Sequence, residues 1–485
     1  MVKHFVFIAV LYVFGAMSVF AGEEEYYQIQ SFDPGKFVLE VSGILQLGTG
    51  ELMICTRRGE VFVVENAFEP EKARFKPWAF GLSSPLGLYE YKGWVYTMQR
   101  GELTRMKDSH GDGRADIFET VSDFVPISGN YHEYNFGPRL DKDGKFWVLT
   151  NKPFGGEPYG RAKFRGWALR FDPDSGAMET MACGLRSPAG LEISPDGDVF
   201  YTDNQGEWCN ASKLSHIEKG DFHGHPHGIN SANEPESTIA HPGEVGSGAF
   251  MKDLHTTNPT FKMPAVWFPY NKMGKSPAGM AWDTSTQGEF GPFAGQLFVA
   301  DQNQSCVMRV FLEKVDGHWQ GACFPFRYGF ECGIIRASFG KDHSLFVGMS
   351  NAGWGSRGNK AWGLQRLVWT GKRPFEIHEM RAQSDGFELT FTEPVEAAVA
   401  ADVSSYTMTS YTYRLRSDYG GPEEDVQTLA IASATVSPDA RKVTLRVDGL
   451  RVGYVHELHV NKMTSTTGQD LLHREAYYTL VNIPK

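Results

Sequence analysis

The chain has 485 residues, of which 47 are basic and 58 acidic, so its formal net charge is −11. Hydrophobic residues make up 41% of the chain and aromatic residues 13%, which is enough for a large core and excludes a disordered or collagen-like protein. The acidic balance, with no run of lysine and arginine, lacks the electrostatic signature of nucleic-acid binding. The 53 glycines favour one large β domain plus a smaller one.

The first 21 residues have the pattern of a secretory signal peptide. Lys3 precedes an apolar run from Phe5 to Ala16, and Ala21 supplies the small residue before a cleavage site. Because the run is short for a membrane span, cleavage is favoured over an uncleaved anchor. We therefore expect a secreted or periplasmic protein whose mature chain starts near Gly22 and has no transmembrane segment.

The six cysteines of an exported chain permit up to three disulfides. The sequence leaves all fifteen pairings open, although Cys323 and Cys332 are close enough along the chain to close a local loop. No Cys-x-x-Cys or Cys-x-x-Cys-His pattern occurs, so neither a redox dithiol nor covalently attached haem is indicated.

One pattern recurs six times: a turn with Gly or Asp, then a short strand of β-branched and aromatic residues. The repeats occupy residues 50–64, 92–106, 143–151, 196–206, 295–304 and 343–353. A period of about fifty residues without intervening helical patterns is typical of propeller blades. The longer interval after the fourth repeat predicts an insertion at about residues 207–265. We predict an all-β chain with a six-bladed β-propeller over residues 22–370.

The composition changes after residue 370, since all 11 tryptophans and all six cysteines precede it. The remaining residues, 371–485, contain alternating segments such as FELTFTEPV and KVTLRVDGL. Several such strands in about 110 residues predict an immunoglobulin-like β-sandwich that follows the propeller.

Two residues beside predicted innermost strands are candidates for chemistry. Arg186 lies in a loop before a strand, where its fork of donors suits a planar anionic ligand. An arginine paired with a carboxylate across blades is the alternative. His132 precedes the innermost strand of the preceding blade, and an imidazole there has a suitable pKa for a base. A loop histidine satisfied by the backbone is its alternative.

Two segments have features of metal sites. Residues 108–119 have the spacing of a calcium loop, with Gly113 at the sixth place. The oxygen-bearing positions of that loop are Asp108, Asp112, Asp116 and Glu119. An Asp/Gly β-hairpin turn is the alternative, because His110 departs from the pattern and the flanks resemble strands. The histidines of HGHPHG (223–228) give a weaker indication of copper or zinc.

Taken together, these segments resemble the soluble quinoprotein glucose/sorbosone dehydrogenases. That family's Arg-Asn-Pro-Gln-Gly-Leu segment is paralleled by Arg-Ser-Pro-Ala-Gly-Leu at 186–191, and its acidic-glycine turn by residues 203–206. Its histidine is matched by His132, which stands ahead of Phe-Gly-Pro at 136–138. The likeness covers most of residues 30–370.

Longer phrases are similar to a narrower group. FPYNKMGKSPAGMAWD, GACFPFRYGFECG and GWGSRGNKAWGLQRLVWTG resemble a propeller family abundant in planctomycetes and described as membrane-bound-dehydrogenase-like or sorbosone-dehydrogenase-like. The tail, from DGFELTFTEPV to YYTLVNIP, resembles the C-terminal sandwich of the same group.

The resemblance implies an exported dehydrogenase that oxidises a sugar or a related alcohol or aldehyde. Hydride would pass to pyrroloquinoline quinone (PQQ), polarised by calcium, and an electron-acceptor protein would then take the electrons. His132 would be the base, and Arg186 would hold the oxygens of the quinone. The residues at the family's other cofactor and calcium-contact places are Gly206, Glu207, Gln302 and Arg336.

Two other functions stay open at this point. Gln302 stands where the family has a lysine, and a single arginine, Arg336, stands near the place of two. This departure favours a propeller that binds a carbohydrate or a partner without redox chemistry. A hydrolase or lyase that uses a metal held by the histidines is the third possibility.

Overall fold

The structure is a computed structural model that describes residues 22–155 and 162–485. The predicted signal peptide, residues 1–21, lies outside the described residues. A one-turn helix, α1 (Glu23–Tyr26), leads into the first strand, β1 (Tyr27–Ser31). None of the helices in the described part of the chain is long and apolar enough to cross a bilayer.

Four-stranded antiparallel sheets follow in chain order and form the blades of a propeller. Blade 1 contains β2 (Val41–Gln46), β3 (Leu52–Thr56), β4 (Val61–Glu65) and β5 (Arg74–Ala79). Blade 2 contains β6 (Tyr89–Tyr91), β7 (Trp94–Met98), β8 (Leu103–Lys107) and β9 (Ile117–Ser122). Blade 3 contains β10 (Asn135–Leu140), β11 (Phe146–Thr150), β12 (Trp167–Phe171) and β13 (Met178–Cys183).

The second half of the propeller has the same plan. Blade 4 contains β14 (Pro188–Ile193), β15 (Val199–Asp203), β16 (Ser212–Ile217) and β17 (Val266–Phe268). Blade 5 contains β18 (Pro277–Trp282), β19 (Leu297–Asp301), β20 (Cys306–Val315) and β21 (His318–Arg327). Blade 6 contains β22 (Ile334–Phe339), β23 (Leu345–Ser350) and β24 (Trp362–Trp369), and β1 completes it.

The six-bladed propeller predicted from the repeats is confirmed. Each repeat contains the second strand of one blade, and most of these strands are buried along their whole length because blades pack against both of their faces. β1 pairs antiparallel with β24, with Tyr27 opposite Trp369, and so ties the start of the chain to the last blade. This pairing closes the ring of blades, in which each sheet keeps only short edges.

The long insertion belongs to blade 4 and begins later than predicted. β16 lies inside the predicted range 207–265 and is an ordinary strand of the blade, paired with β15 and β17. The insertion therefore spans residues 218–265, and it contains short 3₁₀ helices at Ile229–Asn233 and Met251–Thr256.

The C-terminal segment folds as two sheets that share one core with blade 5. One sheet contains β25 (Ile377–Gln383), β26 (Gly386–Phe391), β29 (Ile431–Val436) and β30 (Lys442–Val447). The other contains β27 (Tyr406–Thr412), β28 (Glu424–Leu429), β31 (Tyr454–Val460) and β32 (Glu475–Leu480). A helical turn, α2 (Ala397–Ala400), lies between β26 and β27. β32 pairs with the outer strand β21, so the second sheet continues the fifth blade.

A buried ionic cluster ties the first described residues to this C-terminal segment. His473 Nδ1 lies 2.6 Å from Glu376 Oε1, and His473 Nε2 lies 3.1 Å from Glu23 Oε1. Burial alone would lower the pKa of His473, but Glu376 and Glu23 raise it to about 10. The imidazolium is therefore charged at neutral pH and holds two carboxylates together.

The disulfides that six cysteines of an exported chain would permit do not form, since all six are buried free thiols. Cys323 belongs to the core cluster of blades 2 to 5, whereas Cys332 belongs to the separate cluster between blades 5 and 6. Nearness along the chain was therefore a poor guide to this pair, because the side chains point into different cores.

Candidate functional site

A cavity of about 350 Å³ opens at one end of the propeller axis. Its walls come from the loops that precede the innermost strands and from the loops that follow the second strands of the blades. Its lining includes the side chains of Arg57, Tyr131, His132, Asn151, Phe154, Arg186, Ser187, Lys275, Gln302, Arg336, Trp354 and Tyr419. The structure thus brings together His132, Arg186, Gln302 and Arg336, which lie up to 204 residues apart (336 − 132) in the chain.

His132 is held as a neutral imidazole on the cavity wall. Its Nδ1 lies 2.7 Å from the carbonyl oxygen of Lys152, so Nδ1 carries the proton and Nε2 keeps its lone pair. Burial, together with the charges of Arg186 and Lys152, lowers the pKa of His132 to about 3. The expected base is therefore deprotonated throughout the physiological pH range.

The loop that presents His132 is fixed by its own polar side chains. The Glu133 carboxylate is buried and accepts backbone N–H groups from Ser128, Gly129 and Asn130. The amide oxygen of Asn130 accepts the N–H of His132 at 3.0 Å. These local bonds fix the backbone of the loop, whereas the imidazole itself is oriented by the carbonyl of Lys152, 20 residues further along the chain.

Ser187 is a site residue that sequence reasoning missed. Its Oγ lies 3.1 Å from His132 Nε2 and 3.3 Å from Asn151 Nδ2. Because Nε2 has no proton, the hydroxyl of Ser187 donates to it. The residue stands where the resembling family has an asparagine, so no family pattern pointed to the pair.

Arg186 is paired with a carboxylate, but its partner Glu207 follows β15 of the same blade, whereas the alternative interpretation expected a partner in another blade. Its Nη2 and Nε lie 2.9 and 3.2 Å from Glu207 Oε2, and Lys152 Nζ forms an ion pair with the other oxygen of Glu207. Burial would raise the pKa of Glu207, but Arg186 and Lys152 hold it at about 2. The three residues form a cluster of net charge +1 at the cavity wall.

Gly206 makes room for this arrangement. A Cβ at residue 206 would lie 1.9 Å from the guanidinium carbon of Arg186. Its carbonyl oxygen, at the place where the resembling family offers an oxygen to calcium, accepts the N–H of Gly420 at 3.0 Å. Neither Gly206 nor Glu207 is therefore left open to coordinate a cation.

Arg336 lies below the cavity on the propeller axis and bonds to the backbone. Its Nε donates to the carbonyl of Ser42 at 2.9 Å, Nη1 to that of Ala189 at 2.8 Å and Nη2 to that of Leu86 at 3.2 Å. These acceptors belong to the strands and loops of blades 1, 4 and 2. Burial lowers the pKa of Arg336 to about 9, which still leaves the side chain charged at neutral pH.

Lys275 is a second residue that sequence reasoning missed, and a signal for it existed. Lys-Ser-Pro-Ala-Gly at 275–279 repeats Arg-Ser-Pro-Ala-Gly at 186–190 one blade earlier. In both blades a buried aspartate at the end of the second strand accepts two N–H groups of this loop: Asp203 from Arg186 and Ser187, and Asp301 from Lys275 and Ser276. Lys275 is thus the counterpart of Arg186.

The lining as a whole suits an anion. Arg57, Arg186, Lys275 and Arg336 line the cavity, and among the described residues no aspartate or glutamate does. Arg57 donates to the Tyr134 hydroxyl at 2.9 Å, and the Lys275 ammonium lies over the ring of Tyr270 without an ion-pair partner in the described part of the chain. Gln302 donates to the carbonyl of Ser350 at 3.0 Å and adds a neutral amide to the wall.

The calcium prediction for residues 108–119 is not supported, because the segment is the β8–β9 hairpin turn. Asp108 accepts the N–H groups of Gly111 and Gly113 at 2.6 and 2.8 Å. Glu119 pairs with Arg105, and Asp116 bonds to Ser109. The four carboxylates of Asp108, Asp112, Asp116 and Glu119 therefore do not converge on a point. The Asp/Gly-turn alternative describes the segment.

The histidine segment does not form a metal site either. His223 packs edge-on against Tyr201, and His225 Nδ1 accepts the N–H of His227 at 3.0 Å. Burial lowers the pKa of His223 and of His225 well below the usual value and that of His227 to about 4. In the ranges 22–155 and 162–485, no group of three or more His, Cys, Asp or Glu residues is arranged to hold a metal ion.

The chain is similar to one protein family model and to several solved structures. A family model described as a domain of unknown function, DUF7133, matches residues 74–314. No curated protein matches the chain. The PQQ-bound aldose sugar dehydrogenase from Streptomyces coelicolor is similar at 16% identity and a TM-score of 0.50, over 71% of this chain and 98% of that one.

Two fungal structures are similar to the same extent. The PQQ domain of pyranose dehydrogenase from Coprinopsis cinerea has 12% identity and a TM-score of 0.50, over 70% of this chain and 95% of that one. A carbohydrate-active enzyme of family AA12 from Trichoderma reesei has 13% identity and a TM-score of 0.53, over 71% of this chain and 96% of that one. At these identities the likeness shows the propeller fold.

The cavity residues fit one of the two expected groups. PQQ is a planar polycarboxylate, and a wall with four cations, aromatic rings and no carboxylate in its described lining matches that chemistry. Calcium needs six to eight oxygen ligands. The described residues at the expected calcium places already bond within the protein, so they do not fit a calcium ion.

Proposed function

We propose that this chain is an exported oxidoreductase of the quinoprotein sugar dehydrogenase type, secreted or periplasmic after removal of residues 1–21. The observation that carries this proposal is the neutral His132, whose unprotonated Nε2 accepts from the Ser187 hydroxyl in a cationic cavity on the propeller axis. PQQ, when bound there, would supply a two-electron acceptor for the hydride of the substrate. An electron-acceptor protein would complete turnover.

The cavity residues would accept the substrate proton, bind the carboxylates of the cofactor and stabilise negative charge. The hydroxyl of a sugar, or of a related alcohol, would give its proton to His132 Nε2 in place of the present bond from Ser187. Lys275 and Arg57 would bind anionic carboxylates, because neither is paired with a carboxylate of the described residues. Arg186, whose guanidinium packs between the rings of Phe154 and Tyr419, would stabilise negative charge that develops nearby.

The chain organisation is part of the proposal. Residues 22–370 would form the catalytic propeller, and residues 371–485 an immunoglobulin-like sandwich that adds four strands to the fifth blade. Within that group of proteins, the planctomycete-type membrane-bound-dehydrogenase-like family is the one that the sequence phrases favour.

The test is a titration of the mature chain, residues 22–485, with PQQ, followed by dye reduction with a panel of sugars. We expect saturable binding, and a fall in the dye-reduction rate of roughly 100- to 10,000-fold in His132→Ala with PQQ still bound. His255→Ala, which changes an exposed histidine outside the cavity, is the matched control. No binding of PQQ at high concentration would favour a non-redox binding propeller instead.

Because the described residues do not fit a calcium ion, the PQQ affinity should be the same within about 3-fold in calcium and in a chelator. A large gain in affinity or in melting temperature on adding calcium would show that a cation site exists after all.

Acyl transfer is a second candidate, favoured by the bond between Ser187 and His132. Ser187 Oγ would attack an acyl carbon as its proton passes to Nε2, and the leaving alcohol would take that proton when its bond to the carbon breaks. Water would then release the acid by the same exchange. Labelling by a fluorophosphonate that Ser187→Ala abolishes, with the dye reduction retained, would establish this reaction as separate from oxidation.

A further inference from the structure

Aromatic side chains gather at the mouth of the cavity. Of the large aromatic residues that the described chain leaves exposed, Phe80 and Phe118 lie elsewhere. The other three, Tyr131, Trp354 and Tyr419, line this one cavity and are 59, 42 and 60% exposed. Exposed apolar surface concentrated at one opening marks a binding surface, since scattered exposure needs no such explanation.

The three rings come from separate parts of the fold. Tyr131 precedes the innermost strand of blade 3, and Trp354 lies in the loop after the second strand of blade 6, which is across the axis. Tyr419 belongs to the C-terminal segment, in the loop of residues 413–423 between β27 and β28. The opening is therefore flanked by rings on opposite sides.

The loop that carries Tyr419 is docked firmly on blade 4. The N–H of Trp208 donates to the carbonyl of Arg416 at 2.7 Å, and the buried Asn210 bonds to the N–H groups of Arg416 and Gly421 at 3.1 Å. A Cβ at residue 421 would lie 2.2 Å from Asn210 Nδ2, so glycine is needed there. The exposed ring of Tyr419 is thus held in place over Arg186, 5.2 Å from the guanidinium carbon.

The rings lie outside the group that would do the chemistry. His132 is only 8% exposed at the cavity wall, whereas the three aromatic residues face solvent. The Tyr131 ring lies beside His132, with the two ring centroids 6.1 Å apart, whereas Trp354 and Tyr419 come from blade 6 and the C-terminal segment. A ligand that reaches His132 and contacts all three rings therefore spans the opening of the cavity. Aromatic faces are negative and pair with C–H groups, which sugar rings present on one face, while a tyrosine hydroxyl can bond to sugar hydroxyls.

We infer that Tyr131, Trp354 and Tyr419 form a stacking surface for a carbohydrate chain, so that the substrate is the end of an oligosaccharide or polysaccharide. Tyr419 makes the C-terminal segment a component of the binding site and a determinant of its specificity. This inference rests on the proposed function for its substrate class. Beyond that function, it specifies that the substrate is a chain of several sugar units and names the residues that bind the units beyond the first.

Binding to the full mature chain tests the inference without turnover. Calorimetric titrations with glucose, galactose, xylose and glucuronate, and with their linear oligomers of two to six units, would be carried out without PQQ. In at least one series we expect the affinity to rise about 10-fold or more between one and three units. Tyr419→Ala and Trp354→Ala should each lower the affinity for the three-unit oligomer more than the affinity for the monosaccharide, and so remove most of that gain.

Phe80→Ala, which removes an exposed aromatic ring away from the cavity, is the matched control and should bind like the wild type. Affinity independent of chain length in every series would overturn the inference, as would equal behaviour of Tyr419→Ala and Phe80→Ala. A PQQ titration of the same wild-type protein separates the two proposals. Oligosaccharide binding without PQQ binding would refute the oxidoreductase alone, and the reverse would refute the stacking surface alone.

Discussion

Arg186 and Arg336 are both buried arginines at one end of the propeller, but they have different surroundings. Arg186 lies two residues before β14 and meets Glu207, two aromatic rings and the cavity. Arg336 is the third residue of β22 and meets the carbonyl groups of three other blades. The position of an arginine relative to the innermost strand therefore decides its role. Two residues before the strand it lines the cavity, whereas as the third residue of the strand it fills the propeller axis and binds backbone carbonyls.

The physical reason is the geometry of the innermost strands. Side chains that precede such a strand face the opening, whereas a side chain inside it can point at the axis, where six strands converge and leave backbone carbonyls without partners. A guanidinium has five donors and can satisfy several carbonyls at once. A cationic side chain near the expected cofactor site can therefore stabilise the fold by binding backbone carbonyls and make no contact with a ligand.

The largest effect should come from Arg336→Ala. It removes the guanidinium donors from the carbonyls of Ser42 and Ala189 and leaves that of Leu86 with only the N–H of Gly137 at 3.4 Å. The free energy of unfolding should therefore fall by about 3–5 kcal/mol. Chemical denaturation measures this loss, and Arg336→Lys, with one ammonium in place of the fork, should recover only part of it. A loss below about 1 kcal/mol would contradict the stabilising role of the Arg336 hydrogen bonds on the propeller axis.

Arg186→Ala should affect cofactor binding more than stability. Lys152 still pairs with Glu207, so the free energy of unfolding should fall by only about 1–2 kcal/mol. The affinity for PQQ should fall by about 10-fold or more, because a charged hydrogen bond is lost. Denaturation and absorbance titration of the same variant give the two values. Unchanged PQQ affinity would make Arg186 a structural residue like Arg336.

Gly206→Ala tests the position of Arg186 without removing its charge. The added Cβ would overlap the guanidinium, which must then leave the wall of the cavity. We expect PQQ affinity to fall by about 5- to 10-fold, measured by the same titration. Gly246→Ala is the control, since a Cβ there meets no atom within 4 Å. Equal affinities of the two variants would argue against a role for the exact place of Arg186.

The smallest expected effect is a change in the pKa of His132 when Arg186 is replaced. Positive charge disfavours the imidazolium, so Arg186→Gln should raise the pKa of His132 from its present value of about 3, whereas Arg186→Lys should not. Histidine signals in an NMR titration report the change. In the wild type, the dye-reduction rate should show no inflection near pH 6.5, since the imidazole stays neutral above pH 5. An inflection there that is absent from His132→Ala would contradict the lowered pKa of His132.

The sequence was a good guide to the propeller for a local reason. The second strand of every blade is buried on both faces, so its β-branched and aromatic run recurs at nearly every blade and can be counted. The order of His132 and Arg186 before their strands was equally visible. The repeated Ser-Pro-Ala-Gly of blades 4 and 5 was also present and would have identified Lys275 had the two segments been aligned.

The remaining features depend on contacts between distant residues. Cys323 and Cys332 are near in sequence but face different cores, and the carboxylates of 108–119 satisfy their own turn. The insertion of blade 4 was placed too early, because β16 continues the blade after only eight residues of loop (203 to 212).

By itself the sequence determined the six blades and the loops that carry His132 and Arg186. These follow from local periodicity and turn chemistry, which neighbouring residues decide. Only the tertiary structure decided that Ser187 bonds to His132, that Arg336 fills the axis and that Tyr419 reaches the cavity from the C-terminal segment. Such contacts depend on how blades and sheets pack, and no local pattern encodes them.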